Sequence, residues 1–550
     1  MDTNQIMADT KRMIDDLKTV CANFGLGNAS SEYKIITEVF LYKFLNDKFL
    51  HEIRGVESKW AKSENLEADL EKLSDDEYDD LLDEISASTA LLKREHFISY
   101  LFNHKNQKPG DGEKAFHELF DDTLVDIANY NIAIFSVKTG GDDKIRLFDA
   151  LSPFVTESGR RDDFCRTIID KLVAFSFENA FEQKYDFFAA VFEYLIKDYN
   201  KDFGKYAEYY TPYSIASIIA RIMVPDGANN VAVYDPAAGS GTLVLALAHE
   251  IGEENCTIFT QDISQKSNEF LRLNLILNNL VHSLGNVVHG DTLIAPQHLN
   301  KQKNALKKFD YIVSNPPFKM DFSDNRETLA GDLYKERFWA GVPKIPNKDK
   351  DKMAIYLLFM QHIIFSLSEE KGKAAIVVPT GFLTAKPTIE LGIRKKIMEE
   401  HMLRGVISMP SNIFATTGTN VSIILLDREH KADDGIILMD ASKLGEKIKE
   451  GKNQKTFLRP EEIETIIETF NGKKAVEDFS VVITENDIID NNYSFNAGQY
   501  YELKVEYEEL SAEEFEEKMN NHKSNLEAHF LRGKELEHEI LTQLRRISYE

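Results

Sequence analysis

The spacing of apolar residues changes character along the chain. In roughly the first 170 residues they recur at helical intervals. Ser31–Ile53 places Ile35, Val39, Phe40, Phe44 and Phe49 near helical spacing, and Asp162–Leu172 is amphipathic. No alternating strand pattern beyond short pieces and no internal repeat interrupts this region. From about residue 230 short β-branched runs take over: Val231–Asp235, Thr257–Asp262, Val287–His289, Asp310–Ser314, Ala374–Pro379, Arg404–Met409 and Ser422–Asp427. Longer amphipathic segments separate several of them, at Thr242–Ile251, Gln265–Asn279, Lys352–Ser368 and Ile389–His401. Strands alternating with helices predict an α/β fold with a doubly wound parallel sheet. The last two strands are joined by PSNIFATTGTN without a helix, which predicts an antiparallel hairpin at the end of the sheet.

Beyond residue 500 the chain turns helical and acidic. Leu526, Phe530, Ile540, Leu544 and Ile547 fall on one seam, with Gly533 interrupting it. The expected organisation is a helical N-terminal domain over 1–170, the α/β domain over 171–500 and a helical tail over 501–550.

Composition adds exclusions. The 550 residues are 43% hydrophobic and 28% charged, the profile of a folded globular chain. The most apolar stretch, Met353–Leu367, is broken by Gln361 and His362, and the N-terminus is too polar for a signal peptide. Cys21, Cys165 and Cys256 are far apart, which argues against a disulfide framework or a zinc site; a cytoplasmic location without metal is expected. The net charge of −26, from 65 basic and 91 acidic residues, is the reverse of a free-standing DNA binder. Eleven acidic residues crowd between Ala61 and Ala90 and read as a solvated helical face.

Chemistry concentrates at the ends of the predicted strands. Asp235 closes the first, and Ala237, Gly239, Ser240 and Gly241 form a tight turn into a helix that starts at Thr242. Val244 stands where a dinucleotide fingerprint has its third glycine, and no GK pair is followed by Ser or Thr, so neither a GxGxxG nor a Walker A loop is present. An acid at the mouth of the turn repels a pyrophosphate but suits a ligand with an ammonium group and ribose hydroxyls, such as S-adenosylmethionine. Asp262 and Asp291 close the next two strands, where carboxylates can meet a ribose or an adenine. Taken singly, each also suits a helix cap.

The fourth strand ends in Asn315-Pro316-Pro317-Phe318. The amine of adenine is a poor nucleophile because its lone pair is delocalised into the ring. Hydrogen bonds from that amine to two carbonyl oxygens favour a pyramidal nitrogen, and Asn315 Oδ1 with the Pro316 carbonyl can supply both. Two prolines hold the backbone extended, and Phe318 offers a face for an extruded base.

DPAAGSG followed by SNPPF resembles the N6-adenine DNA methyltransferases that carry the cofactor motif before the catalytic one. Glu208, Tyr209, Tyr210, Thr211, Pro212 and Tyr213 lie in AEYYTPY, similar to the element that caps the cofactor pocket in that group. FGLGNASSEYKIITEVFLYKFL, PSNIFATTGTNVSIILLD and NNYSFNAGQYY extend the resemblance over nearly the whole chain, to the modification (methylase) subunit of type I restriction–modification systems. One departure is Asp262, where Glu is frequent. The resemblance implies a methyltransferase domain over 171–500 and methyl transfer from S-adenosyl-L-methionine to the adenine N6 of double-stranded DNA with the base flipped out. It also implies partners: a specificity subunit clamped by two methylase subunits, and in some systems a restriction subunit with nuclease and translocase activity. Sharing DNA affinity over such an assembly accounts for an acidic chain. Three other readings remain open at this point: a stand-alone adenine methylase, a methylase of protein side-chain amides, and a degenerate scaffold. The first lacks a second recognition domain, the second usually has Tyr at the position of Phe318, and intact Asp235, Gly239, Gly241 and Asn315 oppose the third.

Overall fold

The computed structural model describes residues 3–27, 31–107, 114–138, 144–181, 185–196, 211–414, 420–450, 453–501 and 511–544. Its contacts divide the chain into two units, Met1–Tyr500 and Tyr501–Glu550.

Helices at Thr3–Asn23, Glu32–Val56, Phe116–Tyr130 and Arg161–Val173 open the first unit. The second of these is buried on nearly all sides along Val39–Asp47, and Ile35, Val39, Phe40, Phe44 and Phe49 lie in the core. The acidic stretch behaves as a solvated face. In the Asp75–Asp83 helix Tyr78, Leu81 and Leu82 turn inward, and Ser74 and Glu77 close a capping box at its start. Strands β1 (Val137–Lys138) and β2 (Lys144–Ile145) depart from the all-helical expectation, and β1 pairs with the edge of the main sheet.

The remaining strands are β3 (Val231–Asp235), β4 (Cys256–Asp262), β5 (Val287–His289), β6 (Tyr311–Ser314), β7 (Lys373–Pro379), β8 (Leu403–Ser408), β9 (Val421–Asp427), β10 (Ile436–Asp440), β11 (Glu446–Glu450), β12 (Asn453–Phe457) and β13 (Ser480–Ile483). The main sheet runs β13-β10-β8-β9-β7-β6-β3-β4-β5-β1-β2, while β11 and β12 form a separate two-stranded ribbon. The α/β architecture matches the sequence pattern, but the sheet is mixed. β9 is antiparallel to both β7 and β8 and slots between them. The predicted hairpin exists, yet it does not end the sheet: β10 adds parallel to β8, and β13 adds antiparallel to β10.

From β3 the chain proceeds to β4 and β5 on one side and then returns to place β6 on the other. Such a reversal opens a crevice at the carboxyl ends of the two central strands. The helix Gln265–Leu277 braces that crevice against the N-terminal helices. Tyr33 Oη donates to Glu269 at 3.2 Å, and Arg272 donates to the Arg146 carbonyl at 2.7 Å.

In the second unit Ala512–Leu544 is one helix of 33 residues, which Gly533 does not interrupt. None of its residues is buried, and Phe530 is 65% exposed. Ile547 lies outside the described residues. Among the described residues no helix is long and apolar enough to cross a membrane.

Candidate active site

The carboxyl ends of β3 and β6 hold the two most specific motifs side by side. Asp235 is buried, and its Oδ1 accepts from the Ala237 amide and from the Ser314 hydroxyl, each at 2.9 Å. Removal from water penalises its charged form, and burial pushes the carboxyl up to about 7. Asp235 also has no ion-pair partner among the described residues, so nothing of opposite charge offsets it.

The glycine turn passes over Asp235. Gly239 and Gly241 have φ of +53° and +86°, in the left-handed region that favours glycine. They differ in what surrounds them. A Cβ on Gly239 meets nothing within 4 Å, whereas one on Gly241 falls 2.2 Å from Leu271 Cδ1. The steric demand at 241 therefore comes from the neighbouring helix. The turn is also held from outside: Asn274 Nδ2 donates to the Ser240 carbonyl at 3.1 Å, and Thr292 Oγ1 to the Pro236 carbonyl at 2.7 Å. Ser240 Oγ lies 3.3 Å from Thr242 Oγ1 at the start of the following helix.

A shallow open recess lies against the turn. Asp235, Ala237, Ala238, Ser240, Thr242 and Leu243 form one side, and Thr211 and Asn315 the other. Asn315 and Thr211 are both buried, and Asn315 Nδ2 donates to Thr211 Oγ1 at 3.2 Å. That bond turns the amide so that Oδ1 points away from Thr211. Among the described residues no hydrogen bond reaches Asn315 Oδ1 or the Pro316 carbonyl. Pro316 is buried, while Pro317 and Phe318 are half-buried. The Phe318 ring meets the edge of Tyr356 at 6.4 Å between centroids, and Tyr356 rests in turn on Phe382 at 6.2 Å.

Asp262 and Asp291 do not line the recess among its described residues. Asp262 Oδ2 accepts from the Gly239 amide at 2.9 Å and Oδ1 from the Ser264 amide at 2.8 Å, so the carboxylate ties the glycine turn to the helix after β4. Burial raises its pKa as well. Asp291 Oδ1 caps the amides of Leu293 and Ile294 at 2.8 and 3.1 Å. Of the capping element, Thr211 faces the recess, Pro212 precedes the Tyr213–Met223 helix that Tyr213 begins, and Glu208, Tyr209 and Tyr210 lie outside the described residues. Sequence reasoning passed over Ser314, Ala238, Leu243 and Asn274. The one available signal was the position of Ser314 immediately before the Asn-Pro-Pro-Phe tetrad.

Comparison with known proteins identifies the family. Residues 183–509 match the family model described as N-6 DNA Methylase. The type I restriction enzyme MpnII methylase subunit of Mycoplasma pneumoniae is 30% identical over 415 residues, 74% of this chain and 69% of that protein. The HindI methylase subunit of Haemophilus influenzae is 26% identical over 375 residues, 66% of this chain and 79% of the relative. Among solved structures, a type I restriction-modification methyltransferase subunit from Streptococcus thermophilus superposes with a TM-score of 0.69 at 21% identity, covering 91% of this chain and all of that one. The chain belongs to the N-6 DNA methylase family.

Proposed function

We propose that this chain transfers a methyl group from S-adenosyl-L-methionine to N6 of a flipped adenine in double-stranded DNA, as the modification subunit of a cytoplasmic type I restriction–modification complex. The observation that carries the reading is the orientation of Asn315: its amide nitrogen is engaged by Thr211, which leaves Oδ1 and the Pro316 carbonyl as acceptors beside the recess. Those two oxygens draw the adenine amine into pyramidal geometry, with Phe318 as the stacking face.

The recess suits the cofactor chemically. A buried carboxylate without a cationic partner, at the mouth of an open cleft, calls for a ligand that brings positive charge. Asp235 would receive the cofactor's ammonium group, with Ala237, Gly239, Ser240, Gly241 and Thr242 shaping the turn around it. Asp262 and Asp291, which stand outside the recess, would reach its ribose and adenine only from beside it while holding the backbone amides of Gly239 and Leu293, and the element Glu208–Tyr213 would close over it. The bound cofactor supplies an electrophilic methyl on a sulfonium. The chain's own residues orient the amine, hold the base and exclude water from between them.

The relatives' names, methylase subunits of type I restriction enzymes, support assembly with other subunits; the partners proposed here are a specificity subunit held by two methylase subunits and, where one exists, a restriction subunit. The exposed apolar seam of the Ala512–Leu544 helix is the proposed dock for the specificity subunit. Co-expression with the neighbouring genes, followed by sequencing of host DNA for methylated adenine, tests the reading; unmodified host DNA in a strain carrying the assembled complex overturns it.

A further inference from the structure

The ribbon β11–β12 is the part of the first unit that the methyl-transfer site leaves unexplained. Its register pairs Lys447 with Thr456, Ile448 with Lys455 and Lys449 with Gln454. Among the described residues its anchors lie at its base. Thr456 is buried, its amide donates to the Asn412 carbonyl at 3.0 Å, and its hydroxyl donates to the Ser411 carbonyl at 2.6 Å. Ile448 and Phe457 on the opposite face are each 43% exposed, and Lys455 lies over the Phe457 ring at 4.6 Å.

The charge of this segment runs against that of the chain. Residues 443–459 carry Lys443, Lys447, Lys449, Lys452, Lys455 and Arg459 against Glu446 and Glu450, six basic residues minus two acidic, in a protein of net charge −26. Among the described residues no ion pair engages Lys447, Lys449 or Lys455. Lys447 and Lys449 share the face of Thr456 and Lys455 lies on the opposite one, so the ribbon presents basic charge on both faces, an electrostatic footprint for a polyanion wrapped around it.

Placement identifies which polyanion. β3, β6, β7, β8 and β10 all run in the same direction, so the ribbon leaves β10 at the same edge of the sheet where Asn315 follows β6. From β6 to β10 there are four steps, through β7, β9 and β8. At about 4.8 Å per step the base of the ribbon stands roughly 19 Å from the catalytic strand. Along a duplex rising about 3.4 Å per base pair, that is about half a turn from the flipped base. We infer that the β11–β12 ribbon grips the phosphate backbone of duplex DNA beside the target adenine through Lys447, Lys449 and Lys455. This rests on the DNA-methylase reading and adds to it a surface outside the cofactor and base sites. Lysines at this distance fix the register of the duplex without reading sequence.

The test uses the assembled methylase complex and a fluorescent duplex, with affinity measured against salt concentration in the absence of cofactor. Lys447→Gln/Lys449→Gln/Lys455→Gln should lower the log–log salt slope by about 3 and weaken binding about a hundredfold at physiological salt, since each phosphate contact contributes about 0.9 to the slope. Cofactor affinity, and turnover at saturating DNA, should stay at wild-type values. The control Lys371→Gln/Lys431→Gln, in the segments preceding β7 and β10 at the other edge of the sheet, should leave the slope unchanged. An unchanged slope in the ribbon variant overturns the inference, as does an equal effect per charge in the control. Loss of the complex itself with normal DNA affinity would make the ribbon a protein-docking element and also overturns it. A wild-type complex that binds DNA but transfers no methyl group would defeat the proposed function and leave the ribbon's role standing on the binding data.

Discussion

Replacing Thr211 with Val separates the two halves of the proposed active site. Val keeps the shape of the side chain and removes the oxygen that accepts from Asn315 Nδ2 at 3.2 Å. Both residues are 6% exposed, so water does not readily replace the lost partner. A buried donor left unsatisfied costs about 1–3 kcal/mol, and the amide recovers part of that by rotating away from its productive orientation. At 1.36 kcal/mol per factor of ten, turnover should fall about ten- to a hundredfold. The assay is transfer of a tritiated methyl group to DNA at saturating cofactor and substrate, with cofactor affinity measured separately by calorimetry. Thr211→Ser restores the acceptor and should recover most of the rate, which a purely structural role for the side chain does not explain. Normal turnover in the Val variant, or equal losses in Val and Ser, refutes the positioning role. A loss of cofactor affinity with unchanged turnover would assign the hydroxyl to the cofactor instead.

Asn315→Ala removes an acceptor at the reacting nitrogen and should cost about 3 kcal/mol, roughly a hundredfold or more in rate, while calorimetry shows near-normal cofactor binding. Asp235, with its carboxyl pushed up to about 7 by burial, is neutral below that pH and anionic above it. Cofactor affinity should therefore rise from pH 6 to 7.5, and Asp235→Asn should flatten the profile; parallel profiles contradict the assignment. The sign for stability is opposite: the ligand-free fold favours the protonated acid, so its melting temperature loses that contribution as pH rises through about 7. Gly241→Val places a side chain at φ +86° against Leu271 and should destabilise the fold by roughly 2–5 kcal/mol, read from chemical denaturation, with cofactor affinity falling as a consequence. Deleting 518–550 should leave a folded, cofactor-binding chain that no longer co-purifies with a specificity subunit; normal assembly of the truncated chain removes the docking role.

The strands from β3 to β9 were legible because each is a short apolar run flanked by polar punctuation, and a parallel sheet buries both faces of such runs. β10 and β13 went unread although Ile436–Asp440 is as apolar as its neighbours. The antiparallel insertion of β9 breaks the alternation of strand and helix, so the pattern that organised the earlier strands stops predicting there. Within the site, Asp235 and Asn315 could be read because strand ends locate them. Their partners could not. Ser314 reaches Asp235 across 79 residues and Thr211 reaches Asn315 across 104, and a single hydroxyl carries no periodic signal of a contact made only on folding. Gly241 could be read as a turn residue, but the side chain of Leu271 that fills the space beside it comes from a separate helix and left no mark in the turn sequence. Asp262 and Asp291 show why a carboxylate at a strand end is ambiguous, since both accept backbone amide hydrogens in the same way as helix caps.

The central claim is that Asn315 and Pro316 present two acceptors to the amine of adenine. The most direct measurement supplies the assembled complex with methyl-labelled S-adenosyl-L-methionine and unmodified duplex DNA, digests the product to nucleosides and identifies the labelled species by mass spectrometry. Label is expected in N6-methyladenine, with its rate of appearance cut roughly a hundredfold or more by Asn315→Ala. Label in a methylated cytosine, or in the side-chain amide of a protein, with the adenines unmodified, would contradict it.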